Sequence, residues 1–125
     1  MSVDFTKIIA WQKAHQYVLT VYSVSRKLPD VEKHGLYSQF TRAAVSIAAN
    51  IAEGCQKISK ADKLRFLNIS QGSLSECKYY NLLIKDLGYI SATDFQQLSQ
   101  QIDIASYFLN KYIEGIENNN AIQDS

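Results

Sequence analysis

The sequence predicts an all-α protein, an up-down-up-down antiparallel four-helix bundle. Apolar residues recur with the 3.6-residue period of an α-helix along most of the 125 residues. Five Gly and one Pro are few, so turns are rare and the elements between them are long. Hydrophobic residues make up 46% and charged residues 20% of the chain, which supports a core and argues against disorder.

The first predicted helix covers residues 5–28. Its apolar face begins with Trp11, continues through Val18 and reaches Leu28. Pro29 ends the helix, because the residue before a proline avoids the helical region.

The second predicted helix covers residues 36–55 and is apolar around about two-thirds of its circumference. Its polar residues form a narrow stripe of Gln39, Arg42, Ser46, Asn50 and Glu53. A helix that is apolar nearly all round is expected to be buried nearly all round. Four helices of one chain cannot easily cover so much of one helix, so the pattern predicts a second subunit and a homo-oligomer.

The third predicted helix covers residues 59–87. Ser59 followed by Asp62 resembles a capping box at its start, and Gly88 is placed to end it in the left-handed conformation. The predicted core face is Phe66, Ser70, Ser73, Leu74, Cys77, Tyr80, Ile84 and Leu87. Gly72 lies mid-helix, where glycine costs about 1 kcal/mol against alanine. We therefore expect close approach of the second helix there.

The fourth predicted helix covers residues 91–117 and completes a single domain over residues 1–117. Ser91 and Asp94 repeat the start signal, and a regular apolar stripe follows. Residues 118–125 are predicted to be a frayed polar tail.

Several segments also resemble a known family. The clearest is RAAVSIAANIAEG at residues 42–54, which resembles the RAAVSIPANIAEG signature of the 23S rRNA intervening-sequence protein family. Three further segments fit motifs of that family: WQKA at residues 11–14, RFLNISQGSLSE at residues 65–76 and KDLGYI at residues 85–90. The resemblance spans residues 4–117. Ala48 departs from it, since the family usually has proline there, so any kink in the second helix is expected to be weaker.

The resemblance implies a left-handed four-helix bundle that assembles as a homo-oligomer, with pentameric rings known in the family. It implies no enzymatic activity. Family members are named for genes that lie inside intervening sequences of 23S rRNA. Related proteins are accessory factors of diversity-generating retroelements, which bind a reverse transcriptase and nucleic acid. The partners implied are further copies of this chain and either nucleic acid or a protein that handles it.

The polar stripe of the second helix is the first candidate site. Arg42, Ser46, Asn50 and Glu53 lie within about 80° of one another at 100° per residue. Arginine can pair with a carboxylate, and asparagine can satisfy buried polar groups. The stripe is either a solvated face, a polar network at a subunit interface or ring opening, or, least favoured, a ligand or catalytic site.

The second candidate site is a basic cluster at the junction of the second and third helices. Its members are Lys57, Lys60, Lys63 and Arg65, with only Asp62 against them. The net charge of the chain is +1, but residues 1–65 carry +5 and residues 66–125 carry −4. The cluster is either a solvated helix end or a nucleic-acid contact, which a ring would repeat. The fold returns Glu114 and Glu117 to the same end, where they offset part of the charge.

Other classes of function lack their signatures. The chain has no phosphate-binding loop, no nucleophile elbow and no zinc-protease motif, so we expect no enzyme, no cofactor and no catalytic residue. Cys55 and Cys77 are not at zinc-ligand spacing, and His15 and His34 lie too far apart to share a metal. Two cysteines are expected to be free thiols in a reducing cytoplasm, and no segment is apolar enough to span a membrane.

The alternative to a nucleic-acid scaffold is a protein–protein adaptor. Ile104, Tyr107 and Phe108 interrupt the polar side of the fourth helix and would form its contact surface.

Overall fold

Four α-helices and two short 3₁₀ turns make up the described part of the chain. The structure is a computed structural model that describes residues 3–123, and the side chains of residues 3–119. The helices are α1 (Ile9–Ser25), α2 (Leu36–Cys55), α3 (Lys60–Asp86) and α4 (Ala92–Gln123), and the turns are Phe5–Lys7 and Asp30–Glu32. The described residues contain no strand, so the all-α prediction is confirmed.

The start of α1 differs from the prediction because Asp4 organises a separate turn. Its carboxylate accepts hydrogen bonds from the backbone N–H of Thr6 at 3.0 Å and from the Thr6 hydroxyl at 2.6 Å. This caps the 3₁₀ turn, and Ile8 then adopts an extended conformation before α1 begins at Ile9. At the other end α1 stops at Ser25, yet Leu28 remains buried beyond it.

The remaining predicted caps are present. The hydroxyl oxygen of Ser59 accepts a hydrogen bond from the Asp62 N–H at 3.1 Å, and Ser91 does the same for Asp94 at 3.0 Å. Gly88 has a φ of +77°, and the next N–H, that of Tyr89, donates to the carbonyl of Ile84 at 3.0 Å. This is the Schellman arrangement that ends α3.

Helix α4 extends beyond its predicted end at residue 117. Helix α4 continues to Gln123, because no glycine or proline follows Gly115 to stop it. Residues 124 and 125 lie outside the described part of the chain.

The core lies where each helix meets two others. α1 packs on α2 and α4, and α3 packs on the same two helices. The largest fully buried apolar side chains are Tyr17, Phe40, Ile47, Ile51, Leu67, Ile84, Leu98, Ile102 and Leu109. Burial of this apolar surface is the main force that holds the helices together.

The buried face of α3 is rotated from the predicted one. Leu67 and Asn81 are buried, whereas Phe66 is half-buried and Leu87 is 49% exposed. The Tyr17 hydroxyl donates a hydrogen bond to the Asn81 side-chain oxygen at 2.8 Å, which allows an amide at this core position. Burial raises the pKa of the Tyr17 phenol, so its hydroxyl keeps the proton that it donates.

Close contact between α2 and α3 occurs at Gly54. The predicted position, Gly72, makes no such contact. A β-carbon on Gly54 would lie 3.1 Å from the Cβ of Phe66 and 3.3 Å from the carbonyl oxygen of Lys63. A β-carbon on Gly72 would have nothing within 4 Å. The small residue that faces α2 from mid-α3 is Ser70, whose hydroxyl donates to the Ile47 carbonyl at 2.8 Å.

Helix α2 is not covered all round within one chain. Val45 is 40% exposed, and Ala49 is also exposed. The other apolar side chains of α2 are mostly buried within one chain, and the homo-oligomer stays a prediction. Separately, none of the helices in residues 3–123 has the length and hydrophobicity that a membrane crossing requires.

Candidate functional site

The polar stripe of α2 separates into a central hydrogen-bonded group and two exposed ends. The Asn50 amide nitrogen donates to the Ser46 carbonyl at 2.9 Å and to the Ser46 hydroxyl at 3.0 Å. The Ser73 hydroxyl of α3 donates to the same Ser46 oxygen at 2.7 Å. Ser46, Asn50 and Ser73 are all half-buried, so this group ties α2 to α3.

The two charged members of the stripe do not join that group. The Glu53 carboxylate lies 3.5 Å from Lys57 one turn further on, and both side chains are substantially exposed. Arg42 is exposed and makes no ion pair with any carboxylate in the described part of the chain. Its guanidinium, with five donors in a planar fork, is therefore available to a group outside the chain.

A second polar group flanks the stripe. The Tyr80 hydroxyl donates to the Glu76 carboxylate at 2.7 Å and lies 3.4 Å from the Gln39 side-chain oxygen. The hydrogen bond to the Glu76 carboxylate, with a smaller effect of burial, raises the pKa of Tyr80 to about 12. The phenol is thus a donor at neutral pH. The sequence pattern predicts Tyr80 on the core face and therefore carries no signal for this hydrogen bond.

The basic cluster lies at the loop after α2 and the first turns of α3. All four cations have partners within the chain. Lys57 pairs with Glu53, and Arg65 lies 3.8 Å from Asp62. The Lys63 ammonium donates to the carbonyl of Cys55, the last residue of α2, at 3.1 Å. A cation at a helix C-terminus satisfies an otherwise unpaired carbonyl and interacts favourably with the helix dipole.

Lys60 contacts the late part of α4. Its ammonium donates to the Glu117 carbonyl at 3.2 Å. The acidic end of α4 therefore lies beside the basic cluster and offsets part of its charge.

An aromatic ring, that of Phe66, lies against two cations of the cluster. The Phe66 ring centroid is 4.9 Å from the Lys57 ammonium and 4.5 Å from the Arg65 guanidinium carbon. Such cation–π contacts hold the two cations against the half-buried ring. The spacing of Arg65 and Phe66 carries no signal for this contact, because Lys57 comes from the preceding loop.

The remaining candidate residues have structural surroundings. His15 stacks on Trp11 with 4.8 Å between ring centroids and 9° between planes, while His34 is exposed. Cys55 and Cys77 are buried free thiols, and burial raises the pKa of Cys77 to about 12. Among the described residues, no three or more His, Cys, Asp or Glu side chains cluster in a way that could hold a metal ion.

Comparison with known proteins identifies the family. The family model of the 23S rRNA-intervening sequence protein matches residues 6–111. The chain belongs to this family. Among curated proteins, none matches this family member significantly.

A solved structure has the same fold. It is the crystal structure of a protein with unknown function from the S23 ribosomal protein family of Bacteroides thetaiotaomicron VPI-5482. Its TM-score is 0.76 at 24% identity, and the match covers 83% of this chain and 97% of that one. At this level of identity the likeness shows the fold alone.

Proposed function

We propose that this member of the 23S rRNA-intervening sequence family is a non-enzymatic binding scaffold that assembles with copies of itself through α2. The outward face of α2 carries this proposal. It presents Val45, 40% exposed, and the exposed Ala49 beside the Arg42 guanidinium, which has no carboxylate partner in the described chain. Small apolar side chains permit close approach of a second subunit, and Arg42 would find a carboxylate there.

The subunit in this proposal is a left-handed, up-down-up-down antiparallel bundle. Contacts between helix ends support the antiparallel order. Lys27, just after α1, forms a 2.7 Å ion pair with Asp94 at the start of α4. Lys60, at the start of α3, reaches the carbonyl of Glu117 late in α4. Short linkers between consecutive helices favour the same topology.

Light scattering tests the assembly. A pentameric ring would have five times the subunit mass of 14.1 kDa. Arg42→Ala should lower the measured mass because it removes an ion pair between subunits. Val45→Lys should lower it because it buries a charge in the contact. Arg26→Ala, an exposed cation outside α2, is the matched control. A monomeric wild-type protein, or both α2 variants with unchanged mass, would refute the α2 contact. Glu53→Ala should have a smaller effect than Arg42→Ala, since Glu53 already pairs with Lys57.

We further propose that the basic cluster contacts nucleic acid, or a protein that handles nucleic acid. Exposed ion pairs such as Lys57–Glu53 and Arg65–Asp62 are worth at most about 1 kcal/mol, so phosphates can replace these carboxylates. Lys60 and Lys63 donate to backbone carbonyls and are less available. A ring would repeat the cluster in every subunit and strengthen weak contacts.

A gel shift at two salt concentrations tests this contact. Binding of an RNA or DNA fragment should weaken steeply as salt rises, since phosphate contacts release counterions. Lys57→Glu and Arg65→Glu should weaken binding more than Lys78→Glu, a control cation that pairs with Asp103 away from the cluster. No shift by the wild-type protein at low salt would refute a nucleic-acid contact.

A protein–protein adaptor is the second candidate function. The observation that favours it is the outer ridge of α4, where Ile104 is 45% and Tyr107 is 57% exposed. Large apolar side chains grouped on one face often mark an interaction surface.

We also propose that the protein has no catalytic role and is located in the cytoplasm. The polar side chains on the α2–α3 face mostly bond to one another, and the sequence carries no recognised catalytic motif. Two buried free thiols suit a reducing compartment.

A further inference from the structure

A groove opens between the start of α1 and the second half of α4. Its volume is about 370 Å³. From the α1 side it is lined by Ile8, Ile9 and Ala10, and from α4 by Phe108 and Tyr112. Ile9 is 50% exposed, so about half of this aliphatic side chain at the mouth of the groove is left uncovered by the described residues.

The charge at the rim of this groove is positive. Lys7 and Lys111 line it together with the apolar residues, and no acidic residue does. Lys7 makes no ion pair within the described residues, and Lys111 makes one exposed pair with Glu114 at 3.5 Å. Such exposed pairs are weak, so both ammonium groups can bind other carboxylates.

The groove continues onto the outer ridge of α4. Ile104 precedes Phe108 by four residues and Tyr107 precedes Lys111 by four, so each pair lies on neighbouring turns of one helix face. The Tyr107 ring packs edge-to-face on Phe108 with 5.2 Å between centroids, and the Lys111 ammonium is 5.7 Å from the Tyr107 ring. The apolar groove, the ridge and the two cations therefore form one continuous surface.

We propose that this α1–α4 groove binds an acidic amphipathic helix of a partner protein. The partner places a large apolar side chain against Ile9 and Phe108, and its carboxylates meet Lys7 and Lys111. A groove between two helices accepts a third helix through apolar anchors one turn apart. A nucleic-acid backbone matches the surface less well, because phosphates gain nothing from the apolar floor. The inference rests on the adaptor function and is independent of the basic cluster.

Fluorescence anisotropy with labelled 16-residue peptides tests the proposal. The probe has leucines four residues apart on a glutamate-rich helix, and a second peptide replaces the glutamates with lysines. Ile9→Ser should weaken binding of the acidic peptide about fivefold to tenfold, because half of an isoleucine side chain loses its burial. Lys7→Glu should weaken it about fivefold and reduce its salt dependence.

Matched variants control for the fold and for general charge. Leu19→Ser removes a 57% exposed side chain from the same helix, about 15 Å further along α1 and outside the groove. Lys33→Glu makes the same charge change at another exposed lysine. Both should bind the peptide as the wild type does, and circular dichroism melts should show all four variants folded.

Several results would overturn the proposal. The first is that the acidic peptide does not bind. The second is that the lysine peptide binds as tightly as the acidic one. The third is that Ile9→Ser and Leu19→Ser weaken binding of the acidic peptide equally. Displacement of the peptide by a single-stranded oligonucleotide whose own binding weakens in Ile9→Ser would assign the groove to nucleic acid instead. If Ile104→Ser weakens peptide binding and Ile9→Ser does not, the peptide binds the outer ridge of α4 and not the groove. That result would support the adaptor function and refute the groove proposal.

Discussion

Replacing Gly54 with alanine is expected to destabilise the protein, although alanine is the better helix former. The added methyl group would lie 3.1 Å from the Cβ of Phe66, 3.3 Å from the Lys63 carbonyl oxygen and 3.6 Å from a methyl group of Leu67. The first two atoms are fixed to the backbone of α3, so no change of rotamer moves them. Helix α3 must therefore shift away from α2.

The magnitude follows from two opposing effects. Alanine gains at most about 1 kcal/mol over glycine from helix propensity, and less here because Gly54 is the next-to-last residue of α2. Overpacking of a close contact costs about 1–3 kcal/mol. The free energy of unfolding should fall by about 1 kcal/mol, which lowers the Tm by about 4 °C for a chain of this size.

Gly72→Ala is the matched control for this prediction. Gly72 is exposed in the middle of α3, and its added methyl would meet nothing within 4 Å. This variant should gain about 0.4–1 kcal/mol. Urea and thermal unfolding of both variants, at one protein concentration, measure the difference. A Gly54→Ala protein as stable as Gly72→Ala would refute the close α2–α3 contact.

Two further predictions concern a buried hydrogen bond and an ion pair. Tyr17→Phe should lower the unfolding free energy in urea by about 1–3 kcal/mol, because it leaves the Asn81 oxygen, in a residue 2% exposed, without a donor. Asn81→Leu in the same background should recover part of the loss, and no cost in the single variant would contradict the bond. The Lys27 ammonium, hydrogen-bonded to Asp94 at 2.7 Å, lowers the pKa of that carboxyl group. The pair therefore stabilises the fold at any pH above the unfolded pKa of about 3.9. This stabilisation is lost as the pH falls through the lower pKa of the folded state. Lys27→Met should therefore cost up to about 1 kcal/mol in urea melts at pH 7 and progressively less below about pH 4, and a pH-independent difference would exclude the linkage.

The local signals in the sequence predicted the helices well. Ser59 and Ser91 cap the helices that follow them, and Gly88 ends α3 in the left-handed conformation. Each of these features depends on a few consecutive residues, so it is visible without the fold. The start of α1 was wrong because Asp4 caps a 3₁₀ turn, an outcome as compatible with its sequence as a longer helix.

Features that depend on two helices were harder to predict. A helix-propensity scale gives Gly72 and Gly54 the same value. Of the two, only Gly54 faces the backbone of a neighbouring helix. The sequence carries no local signal for the burial of Asn81, because its hydrogen-bond donor, Tyr17, lies 64 residues earlier. Four residues of the predicted α3 face are buried: Ser70, Leu74, Cys77 and Ile84. The observed face is turned from the predicted one by about half a residue, roughly 50°, which buries Leu67 and leaves Phe66 partly exposed.

The candidate sites also combine features that the sequence predicts with contacts that only the fold shows. Composition and spacing located the basic cluster and the polar stripe, because both depend on charges close together in the chain. The sequence could not show that Lys63 caps α2 or that Phe66 lies beside Lys57 and Arg65. Nor could it show that Arg42 has no carboxylate partner among the described residues.

The sequence by itself determined the all-α class, the four helices, their caps and the family. These follow from periodicity and from backbone preferences that act over three or four residues. Only the tertiary structure decided which side of α3 is buried, where two backbones touch, and which cations remain available. Those outcomes depend on the rotation of one helix against another, where a change of one residue, about 100°, exchanges a buried side chain for an exposed one.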